Sequence, residues 1–204
     1  MKTTIKTTAA ILAMIMMAAC SSDDSKPAEE PLSERLEYEN TTETTIYDFS
    51  EPVYIQIQVP EDKIIIDPSK VSLEITLEHQ VAFDLSYGYR MPNSTTDYKI
   101  VNTLGGFNKY SRENVLSFNP NHTEVINPDG SFNYPNQTIP AGNYEEGGLS
   151  NEYPVETPMF SSMLNKNIKG NWQIFFVDTA ELDEGKVIKV KLIFGEGALE
   201  VTEK

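Results

Sequence analysis

Thiols and imidazoles are nearly missing from this chain: its 204 residues hold one cysteine, Cys20, and two histidines, His79 and His122. One cysteine closes no disulfide within the chain, and with two histidines far apart in sequence it does not make up the ligand set of a zinc site. Bases are scarce as well. Sixteen Lys and Arg stand against 31 Asp and Glu, a net charge of -15, and such a surface repels a phosphate backbone, so nucleic acid is excluded as a partner. The longest apolar run, residues 9–19, is too short to span a bilayer. After Cys20 no stretch carries the 3.6-residue period of an amphipathic helix and no unit recurs at a fixed interval, which leaves out bundles and solenoids.

What is present begins with an address. Lys2 and Lys6 precede the apolar run, the charged-then-hydrophobic order of an export signal. The run ends at Met17-Ala18-Ala19-Cys20, which resembles the lipobox of bacterial lipoproteins and makes Cys20 the expected lipidation site. The residues that follow (SSDDSKPAEEPLSERLEYENTTETT) are polar, acidic and poor in large aliphatics, so they cannot bury enough apolar surface to fold. They are expected to form a flexible tether. Asp23-Asp24 resembles the signals that carry some Gram-negative lipoproteins to the outer leaflet, and a plain solvated linker is the other reading. The expected location is the bacterial outer membrane, lipid-anchored and exposed at the surface.

From residue 53 the pattern turns to period two. Val53, Ile55, Ile57 and Val59 alternate with Tyr54, Gln56 and Gln58 before Pro60 breaks the run, a half-buried strand followed by a turn. Val71, Leu73, Ile75 and Leu77 alternate with polar partners, and the parity continues through His79, Val81, Phe83, Leu85, Tyr87 and Tyr89, which fits one long strand or two joined by a bend. Residues 98–101 and 115–118 supply further short strands. Residues 119–158, dense in Asn, Pro, Gly and Tyr, read as a long structured excursion, and loops of that length are commonly functional or mobile. Residues 170–194 read as two strands around an acidic turn, a closing hairpin. The pattern predicts an all-β chain folded as an antiparallel β-sandwich. Its expected organisation is a signal at 1–19, a tether at 20–45, a sandwich at 46–197 and a tail at 198–204.

Several of these residues carry a family resemblance. Gly170, Trp172, Ile174, Phe176 and Asp178, the acidic turn, then Gly185, Val187, Leu192 and Phe194 resemble the ending of the P domain (P/Homo B domain). This is the jelly-roll β-sandwich that follows the subtilisin-like catalytic domain in proprotein convertases. Leu77, His79, Asp84 and Leu85 match its I-x-H and D-L block, while Pro92 and Gly105-Gly106 with Asn108 match later turns. Val190 stands where the family has a second tryptophan, and the Pro92 turn lacks the family's glycine. The resemblance implies a jelly-roll-like sandwich that stabilises a protease. It implies no catalysis here, since the family's triad belongs to a protease domain that these residues do not include.

Three kinds of site remain to be weighed. As a general base, His79 has the parity of a core residue and His122 has no nucleophile motif beside it, so this chain is not expected to be an enzyme. Asp84, Asp178 and Asp183 are the candidate metal ligands, and calcium is the metal their oxygens suit. Asp178 reads equally as an acceptor that caps a turn. Tyr134, Tyr144 and Tyr153 with Asn136 and Asn143 are the candidate ligand-binding residues, aromatic platforms with amide donors as sugar recognition uses; the same tyrosines could form the excursion's own small core. The expected function is a non-catalytic, lipid-anchored envelope module that presents these loops to a protein or glycan. The alternative is an accessory or stabilising partner of a separately encoded subtilisin-like serine protease.

Overall fold

The computed structural model describes residues 34–48, 51–102, 108–123, 137–145, 160–181 and 183–201. They form the strands β1 (Leu36–Asn40), β2 (Thr44–Ile46), β3 (Val53–Val59), β4 (Lys63–Ile65), β5 (Val71–Glu78), β6 (Leu85–Arg90), β7 (Tyr98–Asn102), β8 (Val115–Phe118), β9 (Gly142–Tyr144), β10 (Gly170–Asp178), β11 (Gly185–Phe194) and β12 (Leu199–Val201). Short 3-10 turns occupy Pro68–Lys70, Ala82–Asp84 and Phe160–Met163. The expected alternation is observed in β3, where Ile55, Ile57 and Val59 are buried while Gln56 and Gln58 are exposed.

One sheet runs β1-β11-β5-β8-β9, with β2 also pairing along β11, and a second runs β3-β10-β6-β7. Strands β4 and β12 form a small third sheet. All pairs are antiparallel except β8 with β9. The two large sheets face each other over one core. Trp172 of β10 meets Phe194 of β11 edge-on at 6.0 Å, and Tyr87 of β6 meets Phe118 of β8 at 5.8 Å. The expected all-β sandwich is the architecture observed.

Two expectations change. Residues 170–194 are not a hairpin, because β10 pairs with β3 and β6 whereas β11 pairs with β1, β2 and β5. Both strands carry a largely apolar inner face, Trp172, Ile174 and Phe176 on β10 and Val187, Val190, Leu192 and Phe194 on β11, and two such faces bury each other best across a sandwich about 10 Å thick. The acidic turn therefore carries the chain from one sheet to the other. Of the two readings of the alternating run 71–89, the two-strand one is observed: β5 and β6 lie in different sheets, and the 3-10 turn at Ala82–Asp84 interrupts the alternation and leaves Phe83 exposed.

The folded part also starts earlier and ends later than the expected 46–197. Residues 36–40, assigned to the tether, form β1 on the edge of β11. Tyr38 packs edge-on against Phe194 at 6.2 Å, while Glu37 and Glu39 point outward to Lys191 (3.0 Å) and Lys189 (2.8 Å). Residues 199–201, assigned to the tail, pair with β4. Within the excursion, β9 adds an edge strand with Tyr144 buried, so that stretch supplies part of the sheet despite its few aliphatics.

Candidate functional site

Two of the chain's crossings between the large sheets lie at the same end of the sandwich. Strand β5 stops at Glu78 and the chain crosses to β6 at Leu85; β10 stops at Asp178, opposite Leu85, and crosses to β11 at Gly185. His79 and Asp178 tie the crossings together. His79 Nε2–H donates to Asp178 Oδ2 at 2.9 Å, and both side chains are fully buried. The other ring nitrogen, Nδ1, meets the Val81 backbone, its carbonyl oxygen at 2.8 Å and its amide nitrogen at 3.3 Å. The second oxygen of Asp178 accepts the amide of Ala180 at 3.0 Å. Thr179 closes the corner from the other side, donating its amide (2.8 Å) and its hydroxyl (2.9 Å) to the Asp84 carbonyl.

Gly185 completes this corner through what it lacks. A Cβ there would lie 2.4 Å from His79 Cδ2 and 3.1 Å from the Glu78 carbonyl oxygen, so any larger residue would push the imidazole out of place. His79, Asp84, Leu85, Asp178 and Gly185, which carry much of the sequence resemblance, thus converge on one structural feature. A buried charged or polar group is tolerated only when its bonds are made inside the protein, and here they are. The same sealing denies His79 a substrate: a base with no exposed surface has nothing from which to take a proton.

Of the three candidate metal ligands, Asp84 senses the charges of the other two, Asp178 and Asp183. Partial burial raises the Asp84 carboxyl above its ordinary value, the Asp178 carboxylate adds to the rise, His79 opposes it and Asp183 adds further. Asp84 and Asp183 are half-buried. Among the described residues no group of three or more His, Cys, Asp or Glu side chains is placed to hold a metal ion. Asp178 spends one oxygen on His79 and the other on Ala180, which matches its reading as a turn-capping acceptor.

The other candidates lie elsewhere. His122, half-buried, donates Nδ1–H to the Ser117 carbonyl at 3.1 Å. Tyr144 is buried, its ring 6.1 Å from that of Phe118 and its hydroxyl donating to the Pro140 carbonyl at 2.8 Å. It belongs to the main core of the sandwich, not to a separate small core of the excursion, and is not an exposed platform. Asn143 beside it on β9 is exposed. Tyr134, Tyr153 and Asn136 lie outside the described residues, as does Cys20. Asn119 was not singled out from sequence, yet its buried amide Nδ2 donates to the carbonyls of Val71 (2.7 Å) and Ser69 (2.9 Å), fastening the start of the excursion to β5. Only its position at the end of a strand, before Pro120, could have marked it.

No protein-family model matches the chain, and no curated protein matches it. Among solved structures it is similar to a serine protease of Aeromonas sobria, at 13% identity and a TM-score of 0.45, over 83% of this chain and 28% of that one. It is similar also to a chain in the complex of the Aeromonas sobria serine protease with its chaperone, at 14% identity and a TM-score of 0.42, over 86% of this chain and 28% of the other. The chain therefore spans well under two thirds of the length of these solved structures.

Proposed function

We propose that this protein is a non-catalytic, P-domain-like module, held on the outer membrane by a lipid at Cys20, which offers the surface of its sandwich to a protein or glycan partner. The observation that carries the non-catalytic part is the sealing of the His79–Asp178 pair. The residues through which the sequence resembles a protease-associated family build a structural corner, with the imidazole kept from solvent. The anchor rests on the lipobox-like residues 17–20 and the acidic pair behind them.

Labelling cells with a radioactive fatty acid tests the anchor: label is expected on the wild-type chain and absent from Cys20→Ala, which should leave the membrane fraction. Label on Cys20→Ala would refute it. The module is tested by co-purification from envelopes. A reproducible partner that is lost when exposed residues of the sandwich are changed supports the proposal, and turnover of a peptide or glycan by the purified chain would count against it.

The second reading, service to a separately encoded subtilisin-like protease, is favoured by the resemblance of residues 77–85 and 170–194 to a domain that stabilises its adjoining protease. A peptidase should then co-purify and lose stability in cells that lack this protein. If peptidase levels are unchanged in those cells, this reading is wrong.

A further inference from the structure

At the end of the sandwich away from the His79–Asp178 corner, a recess of about 340 Å³ opens between the turn after β6 and the segment leading into β10. Its volume lies near the lower end of the ~300–1,000 Å³ range of small-ligand sites. Two local features set its shape. Gly170 has φ 129°, and a Cβ on it would lie 2.9 Å from Pro92 Cβ, so glycine alone lets the Pro92 turn rest against the start of β10. Asn93 then reverses the chain at φ 58°. Gly170 and Pro92, two separate parts of the sequence resemblance, meet at the wall of this recess.

The floor is apolar and rigid. Met91 is buried, and the half-buried Tyr98 ring stacks on Tyr89 at 5.3 Å with 18° between the planes. Tyr89 is in turn held by Phe160 and Trp172 at 5.8 and 6.2 Å. Such a floor is set before any ligand arrives, which lowers the ordering penalty of binding.

The rim is polar and carries a cation. Ser94 Oγ accepts the Thr96 amide at 3.0 Å, which leaves its O–H to donate elsewhere. Asn167 is spoken for, its Nδ2–H donating to Asp62 at 2.7 Å and its Oδ1 accepting the Lys169 amide at 2.8 Å. Lys166 differs from most lysines of the described surface. Lys70, Lys169, Lys186, Lys189 and Lys191 each lie within 4 Å of a carboxylate, whereas Lys166 makes no ion pair among the described residues. Its backbone is fixed on both sides, the amide donating to the Met163 carbonyl at 3.0 Å and its own carbonyl accepting the Ile65 amide at 2.9 Å. In a chain of net charge -15, an ammonium group with no carboxylate partner among the described residues, at the mouth of a recess with an apolar floor and a polar rim, is suited to an anion from outside.

We propose that this recess binds the carboxylate end of a peptide, with Lys166 and the Ser94 hydroxyl taking the carboxylate and the apolar side chain next to it lying on Tyr98 and Met91. A peptide fits better than an acidic sugar because the floor is a methionine and a tyrosine ring set beside a proline, a surface for an aliphatic side chain. This names a ligand class for the proposed binding module and rests on that reading only for the partner's role in the cell.

The test is calorimetric titration of the full chain in detergent with three probes: acetyl-Ala-Leu with a free carboxylate, the same peptide as its C-terminal amide, and galacturonate. The free acid should bind at least about tenfold more tightly than the amide, as expected for a charge-assisted bond. Lys166→Met should lose about the same factor and Lys166→Arg should retain most of it, while Tyr98→Leu should weaken the free acid and still unfold cooperatively, at a melting temperature lowered by the loss of the Tyr89 stack. Equal binding of acid and amide, no effect of Lys166→Met, tighter binding of galacturonate, or no binding by any probe would overturn the proposal. If no probe binds while an envelope partner still co-purifies, this site fails and the module reading stands.

Discussion

Asp84 shows how the braced corner sets the cost of a single charge. Its carboxyl is raised chiefly by burial and then by the Asp178 charge, so the folded protein holds that proton more tightly than the unfolded chain does. The carboxylate form therefore opposes folding at neutral pH. The penalty is relieved as pH falls through the raised value and is gone below the ordinary value of 3.8. Asp84→Asn should accordingly raise the melting temperature at pH 7, with the gain shrinking toward pH 4; a lower melting temperature at pH 7 would contradict this. Asp178 is committed to His79 and Ala180, so millimolar calcium should leave the melting temperature unchanged, and a calcium-dependent rise abolished by Asp183→Asn would show that the corner does collect a metal. The parity of His79 in its strand was legible in the sequence. Its partner was not, because Asp178 lies 99 residues away and periodicity carries no information about distant pairs.

Among the elements, β1 has the least conspicuous sequence and an important place. Its outward residues are acidic and its inward ones are Leu36 and Tyr38, so within a polar tract it resembled linker. What identifies it is the complementary set on β11, where Lys189 and Lys191 meet Glu39 and Glu37. Exposed pairs of this kind add little stability each, and the Tyr38–Phe194 contact with the backbone ladder supplies most of what β1 contributes. Removing residues 20–33 should leave unfolding unchanged. Removing 34–46 should lower the denaturation midpoint and promote self-association, because β11 becomes an open edge; chromatography and urea titration of the two truncations distinguish these outcomes. The longer strands β3, β5, β6, β10 and β11 were readable from alternation, but their distribution between sheets was not. The strands flanking the acidic turn look like hairpin partners in sequence because nothing local distinguishes pairing beside a neighbour from packing across a core.

For the molecule as a whole, the two ends of the sandwich divide the work. One end is closed by the His79–Asp178 brace, where the β5–β6 and β10–β11 crossings meet. The other carries the recess walled by Pro92 and floored by Tyr98. On the outer face of the β11 sheet, Glu37, Glu39, Glu43 and Glu78 pair with Lys191, Lys189, Lys186 and Arg112, leaving that face internally balanced in an otherwise acidic protein. His79 acts as a brace in this fold, and the melting temperature of His79→Leu tests that role most directly. Leucine fills the site but leaves the buried Asp178 without its partner, a loss of about 3–5 kcal/mol, so the melting temperature should fall by about 10 °C. A variant that melts with the wild type, or above it, would contradict the structural role and return His79 to the list of candidate catalytic groups.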